Sequence, residues 1–230
     1  MGIGIPQHLP QIITAIGGLG TAAFGLVDST KVLWGGVNRI GFGRIADTVN
    51  KLTPGAAASG LTQSKIVDTL KANWYNGTDL SSQKAIAKSL IKVGLNPGNA
   101  PALAAATGVD AGLLGAVAAS IGAGTPLTAA QSDVFSRFDF ILTALLDEVY
   151  QHSDQAYTNG TRLFASIFAV LLAFVAGWTL LGGTLGGYLH SNEMWLALVA
   201  GVLATPLAPI AKDVASALAT AVNTVQSIKG

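Results

Sequence analysis

Cysteine is absent from this chain. That single absence excludes disulfides, Cys-ligated zinc, iron–sulfur clusters and a thiol nucleophile, and leaves the redox compartment undetermined. Charge is scarce as well. Asp, Glu, Lys and Arg make up 11% of the 230 residues, against roughly 25% in an ordinary soluble domain. A soluble protein of this size would struggle to cover its surface with so few charges. The net charge is only +1, so no overall basic field exists to hold nucleic acid, and no nucleic-acid partner is expected.

The remaining charges are unevenly placed. Leu9–Val27, Leu163–Leu189 and Met194–Ala211 contain no Asp, Glu, Lys or Arg. Half of the residues are apolar, 28 are glycine, and the mean hydropathy is +0.52. Each stretch is long enough, at the helical rise of ~1.5 Å per residue, to approach the ~30 Å hydrocarbon thickness of a bilayer. The expected fold is therefore all-α, an integral membrane protein with three transmembrane helices and a small helical cytoplasmic domain. The tip before the first stretch carries no Lys or Arg, whereas a secretory signal needs a positive leading segment, so that stretch is expected to be a retained span. Its Gln11 and glycine-rich middle also suit a surface-lying or re-entrant segment.

Orientation follows from the basic residues beside the span ends. Lys31, Arg39, Arg44 and Lys51 follow the first span, Arg162 abuts the second and Lys212 closes the third. The N-terminal tip and the His190–Glu193 turn are thus expected outside. The middle and the C-terminus are expected in the cytoplasm, the membrane being a cell inner membrane. Tyr188 and Trp195 suit an outer aromatic belt, and Trp34 and Tyr157 an inner one. The segments are 1–27 (outward tip and first span), 28–130 (cytoplasmic helical domain), 131–162 (long connecting helix), 163–211 (transmembrane hairpin) and 212–230 (amphipathic C-terminal helix).

The middle punctuates as short helices without a period-2 strand. Thr62 precedes a helix with Ile66, Leu70 and Trp74 on one face, and Ser81 or Ser82 starts another carrying Ile86, Leu90 and Val93. Asn99 and Asp110 are candidate caps, with Gly108 and Gly124 as stops, giving a small helical hairpin rather than a fourth span. Thr128 and Gln131 form a capping box. It starts a rod expected to run from about Gln131 to Leu189, with Val134, Phe138, Ile141, Leu145 and Val149 as its apolar stripe. The 31–52 segment mixes Trp34, Val37, Ile40, Phe42 and Ile45 with basic residues. It fits either a segment lying on anionic lipid or a helix packed in its own domain. Lipid-headgroup contact is accordingly assigned to Lys31, Trp34, Arg39, Arg44, Arg162 and Trp195.

In lipid, helices associate through small residues that permit close approach. Candidate packing or oligomer-interface positions are Gly17 and Gly25 in the first span; Ala169, Ala173, Gly177, Gly182 and Gly186 in the second; and Ala200 and Ala204 in the third. Val214, Leu218 and Val225 continue as a short heptad seam in the tail. More small-residue faces are present than three helices need, which favours a homo-oligomer or other membrane subunits as partners alongside the bilayer itself.

Catalytic patterns are missing. Glu148 and His152 share a helix face, but the neighbouring Ser153 and Asp154 do not face His152, so no triad relay forms. The expectation there is a solvated ion pair. Gly35-Gly36 and Gly41-Phe42-Gly43-Arg44 resemble phosphate loops yet lack a Walker lysine and a preceding strand. Asp79, Asp110 and Asp133 do not match a calcium loop, and no metal or other cofactor is expected. No charge lies inside a span, so the usual mark of an ion-coupled transporter is absent.

Leu146-Asp147-Glu148-Val149-Tyr150, placed before a membrane hairpin, resembles part of a motif of the form MDRVSGWYKR found in an uncharacterised group of bacterial multi-pass inner-membrane proteins. Asp147 and Val149 match, and the Trp-Tyr-Lys-Arg portion is missing. The resemblance covers about ten residues, implies a bacterial inner-membrane setting and carries no activity. Three classes of function remain: a non-enzymatic membrane scaffold or assembly subunit, an oligomeric pore lined by residues such as Thr179 and Thr184, or an accessory subunit of a respiratory or redox complex.

Overall fold

A computed structural model describes residues 5–55, 60–181 and 184–209, with side chains from residue 12 onward except at 33, 34 and 181. Among the described residues the chain is all-helical and contains no strand. The helices are α1 (Ile5–Trp34), α2 (Phe42–Leu52), α3 (Gln63–Tyr75), α4 (Leu80–Val93), α5 (Ala100–Thr107), α6 (Ala111–Ala123), α7 (Ala129–Leu181) and α8 (Leu185–Leu189). A further helix, α9, runs over 192–209. The chain forms two compact units, one of residues 1–37 and 158–230 and the other of residues 38–157.

The 38–157 unit obeys the rule of a water-soluble core, with large apolar groups inside. Phe42, Ile45, Val49 and Leu52 of α2, Ile66, Leu70 and Trp74 of α3, and Phe138, Leu142, Leu146 and Tyr150 of α7 are buried together. The apolar face of α2 is buried in the core of this unit, while Arg39, Arg44 and Lys51 remain exposed.

Local signals place most helix ends. Thr62 accepts from Lys65 N, and Asp110 from Leu113 N. Gly108 (φ 68°) and Gly124 (φ 66°) close α5 and α6 in the left-handed region, where glycine has no Cβ to clash. Thr128 and Gln131 cap each other reciprocally: Thr128 N donates to Gln131 Oε1 (2.8 Å) and Gln131 N to Thr128 Oγ1 (3.3 Å). Two expected ends differ. Asp79 caps α4, taking Ser82 N at 2.9 Å, while the Ser81 hydroxyl donates to the same carboxylate. Asn99 turns back into the preceding loop, donating to Gly94 O, and makes no cap bond to α5.

One helical face is rotated from expectation: α4 buries Gln83, Ala87 and Ile91, and leaves Val93 57% exposed. α7 buries Phe138 and Val149 of its expected stripe together with Leu142 and Leu146, while Ile141 and Leu145 are half-buried. The expected rod is also shorter. α7 stops at Leu181, and Thr184 starts the separate helix α8 by accepting from Gly187 N.

The other unit reverses the size rule. Most of its buried positions are small, Ala23 of α1, Ala165, Ala169 and Ala173 of α7, and Ala204 and Ala208 of α9, with Val27, Val37 and Tyr188 the larger exceptions among the described residues. Leu163, Ile167, Leu171 and Val175 of α7, and Trp195, Leu196, Val199 and Val202 of α9, are exposed. Two helices hold stretches long and apolar enough to cross a membrane, Ile12–Val32 of α1 and Ala129–Leu180 of α7, and only 22% and 17% of their most apolar windows are buried. α9 does not meet that test over its described residues. It includes Asn192, Glu193, Pro206 and Pro209, and the expected third span reaches two residues beyond it.

Candidate functional site

A groove of the 38–157 unit lies between α4 and α7 and has a volume of about 570 Å³. Its chemistry comes from two stripes at i, i+4, i+8 spacing, which place three side chains on one helical face. α4 contributes Lys84, Lys88 and Lys92; α7 contributes Asp139, Thr143 and Asp147. Lys84 Nζ meets Asp147 Oδ1 at 2.5 Å. Lys88 Nζ meets Asp139 Oδ2 at 2.6 Å and Thr143 Oγ1 at 3.0 Å. Lys92 Nζ meets Asp139 Oδ1 at 2.9 Å and stands 4.9 Å from the Phe135 ring centre. The pairing order, 84 with 147 and 92 with 139, makes the two helices antiparallel. Partial burial raises the Asp139 carboxyl, but the bonds from Lys88 and Lys92 outweigh it and hold the group below its ordinary value. Ala85, Ser89 and Val93 form the outer wall and Leu146 the floor.

The sequence reading missed this ladder. Its signal was present as three lysines four apart and an Asp-Thr-Asp series four apart, both on amphipathic helices.

A smaller groove of about 310 Å³ separates α2 from α7 and is lined by Arg44, Asp47, Thr48, Glu148 and His152 among others. The expected Glu148–His152 ion pair is not among the ion pairs of the described residues. Ser153 is buried, its hydroxyl has no hydrogen-bond partner, and it cannot serve an exposed His152. The Tyr150 phenol is likewise buried without a partner, and burial pushes its pKa up. Described residues hold no group of three or more metal-ligating side chains.

The glycine motifs near residue 40 have a steric role. Gly41 has φ 90°, and a Cβ there would sit 2.4 Å from Ser153 O. The loop is fastened by Trp74 Nε1 donating to Asn38 O (2.8 Å) and Asn38 Nδ2 to Tyr75 O (3.1 Å). Gly41 serves a tight backbone approach, whereas a Cβ on Gly43 would meet open space.

In the other unit the small residues sit as follows. Ala169, Ala204 and Ala23 share one buried cluster with Ile16, Leu19, Phe168 and Leu172. Ala173 and Gly17 are buried, and Ala200 is half-buried. Gly20, not singled out for this role from sequence, and Gly201, noted there with Ala197 as a packing pair, make close approaches to the backbone of a neighbouring helix. A Cβ on Gly20 would lie 2.1 Å from Ala204 O, and one on Gly201 2.6 Å from Val170 Cα. Ser166 Oγ donates to Thr205 Oγ1 (3.2 Å) across α7 and α9. The contact face of α1 is therefore the 16, 20, 23, 27 line rather than 17, 21, 25. Gly25 and Gly186 face open space. Gly177 leaves room for Tyr188, whose ring packs edge-on to Phe174 at 5.2 Å. Tyr188 is thus folded into the bundle instead of an outer belt, while Trp195 is 64% exposed. Thr179 Oγ1 donates to carbonyls of its own helix, and Thr184 Oγ1 accepts from Gly187 N at the start of α8. Lys31 pairs with Asp28 at 2.7 Å, and Arg162 is exposed. Gly182, Val214, Leu218 and Val225, together with the side chain of Trp34, lie outside the described residues.

The chain matches no protein-family model, no curated protein and no solved structure.

Proposed function

We propose that α1, the 163–181 part of α7 and α9 form a three-helix membrane bundle, and that the protein is a non-enzymatic membrane scaffold or assembly subunit. The observation carrying this reading is the reversed size rule. Among the described residues, seventeen large apolar side chains of that unit are exposed, against three in the other unit, while alanine and glycine make up most of the interior. Moving a half-exposed Leu, Ile, Val or Phe from water to hydrocarbon is worth about 1 kcal/mol, so the set favours lipid by on the order of 15 kcal/mol. Interior packing by Gly and Ala with one Ser–Thr hydrogen bond is how helices hold together where no hydrophobic force acts between them.

The basic residues Lys31, Arg39, Arg44 and Lys51 support an orientation with the 38–157 unit and the C-terminus on the cytoplasmic side and the N-terminal tip and the 190–193 turn outside. Gly25 and Gly186, small and open, are the positions left for a second copy or another membrane subunit. A bacterial inner membrane fits the partial Asp147–Val149 motif.

The cysteine-free chain is a ready background for testing this. Asn192→Cys should react with an impermeant maleimide in intact cells, and Asn76→Cys only after permeabilisation. The native mass of the extracted particle should exceed that of one chain. Reaction at 76 with protection at 192 would overturn the orientation. A monodisperse monomer from its own membrane would overturn the assembly role.

A further inference from the structure

The α4–α7 groove holds more positive hydrogen-bonding capacity than its own carboxylates use. An ammonium group has three N–H donors and no acceptor. Lys84 directs one donor to Asp147, Lys88 one each to Asp139 and Thr143, and Lys92 one to Asp139. Five donors are left. Three ammonium groups face two carboxylates, which leaves one positive charge. The lysine side chains are 25–32% exposed, so the groups are neither sealed in nor free in solvent. The aspartates hold them in place, which lowers the cost of ordering three long side chains around a ligand. The walls between them are mostly apolar, made by Ala85, Val93, Leu146 and the lysine stems, with Ser81, Ser89 and Thr143 beside them. About 570 Å³ is the size of a small-molecule site.

We propose that this groove binds an organic anion, a phosphate or carboxylate carried on a compact apolar body. The anion takes the unused ammonium donors and neutralises the excess charge, and the body lies against Ala85, Val93 and Leu146. Such an anion comes either from the soluble pool or from an acidic lipid headgroup. The inference rests on the 38–157 unit alone and does not depend on the scaffold reading.

The test uses the full chain in discs of zwitterionic phosphatidylcholine, titrated with 1-naphthyl phosphate by calorimetry, with 1-naphthol and inorganic phosphate as partial probes. Saturable binding of naphthyl phosphate is expected, at least tenfold tighter than either fragment. Ala85→Trp fills the groove without touching an ion pair, and Lys92→Met removes donors while leaving Asp139 paired with Lys88. Each should weaken binding at least tenfold with an unchanged thermal midpoint. Should one variant misfold, the other decides. Discs containing phosphatidylglycerol distinguish the sources: competition there assigns the groove to a lipid headgroup, and unaltered binding assigns it to a soluble anion. Absence of saturable binding, or binding undiminished in a folded variant, overturns the proposal.

Discussion

Gly201→Ala is the sharpest probe of how the small-residue bundle is held. The added Cβ would lie 2.6 Å from Val170 Cα, 3.0 Å from Val170 N and 3.1 Å from Ala169 O. All three atoms are backbone, so no side-chain rotation relieves the overlap. Reaching an ordinary 3.4 Å contact requires α7 and α9 to part by about 0.8 Å. A gap of that size forfeits a quarter to a half of each dispersion contact along the face. It also stretches the 3.2 Å Ser166–Thr205 bond. Overpacking of this kind costs ~1–3 kcal/mol, and the better helix propensity of alanine returns at most ~1 kcal/mol. Gly25→Ala is the internal control, because a Cβ there meets nothing within 4 Å and only the propensity gain applies. The difference between the variants should be ~1–3 kcal/mol, with Gly201→Ala the weaker. Loss of helicity of the full chain in mild detergent, followed by circular dichroism against denaturing detergent, measures it. If Gly201→Ala proves as stable as Gly25→Ala, the close approach of α9 to α7 is not what holds the bundle.

Three further outcomes follow from the 38–157 unit. Leu142→Ala, at a fully buried position, should destabilise it by ~2–5 kcal/mol, whereas Phe140→Ala, at a side chain 74% exposed, should change its stability by under about 0.5 kcal/mol; hydrogen exchange of α2 and α3 peptides reports both. Gly41→Ala combines a strained φ of 90° with a Cβ 2.4 Å from Ser153 O and should cost at least ~2 kcal/mol, read as faster exchange in the 38–52 region. The Asp139 carboxyl titrates below its ordinary value, so its contribution is full above the unfolded carboxyl pKa of ~3.9 and is lost as pH falls through the lower folded value. Protection of α4 and of the 135–147 part of α7 should therefore fall only below about pH 4, and Asp139→Asn should lower it at neutral pH and flatten its acid dependence.

Where the sequence was readable, the interaction was local. Thr62, Asp110, Gly108, Gly124 and the Thr128–Gln131 box each act within four residues, and residue type alone is enough to place them. Asp79 displaced the expected serine because a carboxylate next to two serines can take the backbone N–H and a hydroxyl together. Faces were harder. Ile86, Leu90 and Val93 of α4 satisfy helical spacing as well as Ala87 and Ile91 do, so periodicity leaves the rotation open. The choice is made by Lys84, Lys88 and Lys92 reaching Asp139 and Asp147 some 50 to 60 positions away, a pairing that no window along the chain contains. The same holds for Ile141 against Leu142, and for the 16–20–23–27 line of α1 against 17–21–25.

α7 shows why an apolar count and a packing rule are different kinds of information. Along one uninterrupted helix, Phe138, Leu142, Leu146 and Tyr150 are buried, and then Ala165, Ala169 and Ala173 are buried with Leu163, Ile167, Leu171 and Val175 outside. Spacing of four residues recurs in both halves, so a periodic pattern finds a stripe in each. What changes is which size of residue lies on the inner line. In water the large side chain gains by leaving solvent, whereas in hydrocarbon it gains nothing, and the small side chain wins by letting backbones approach. The switch falls between Tyr150 and Ala165, where Arg162, the last charge before the long apolar run, is also placed. Charge placement and residue size are independent observables, and they mark the same stretch of α7 as the point where the packing rule changes, which is where the proposed bundle would pass from water into lipid.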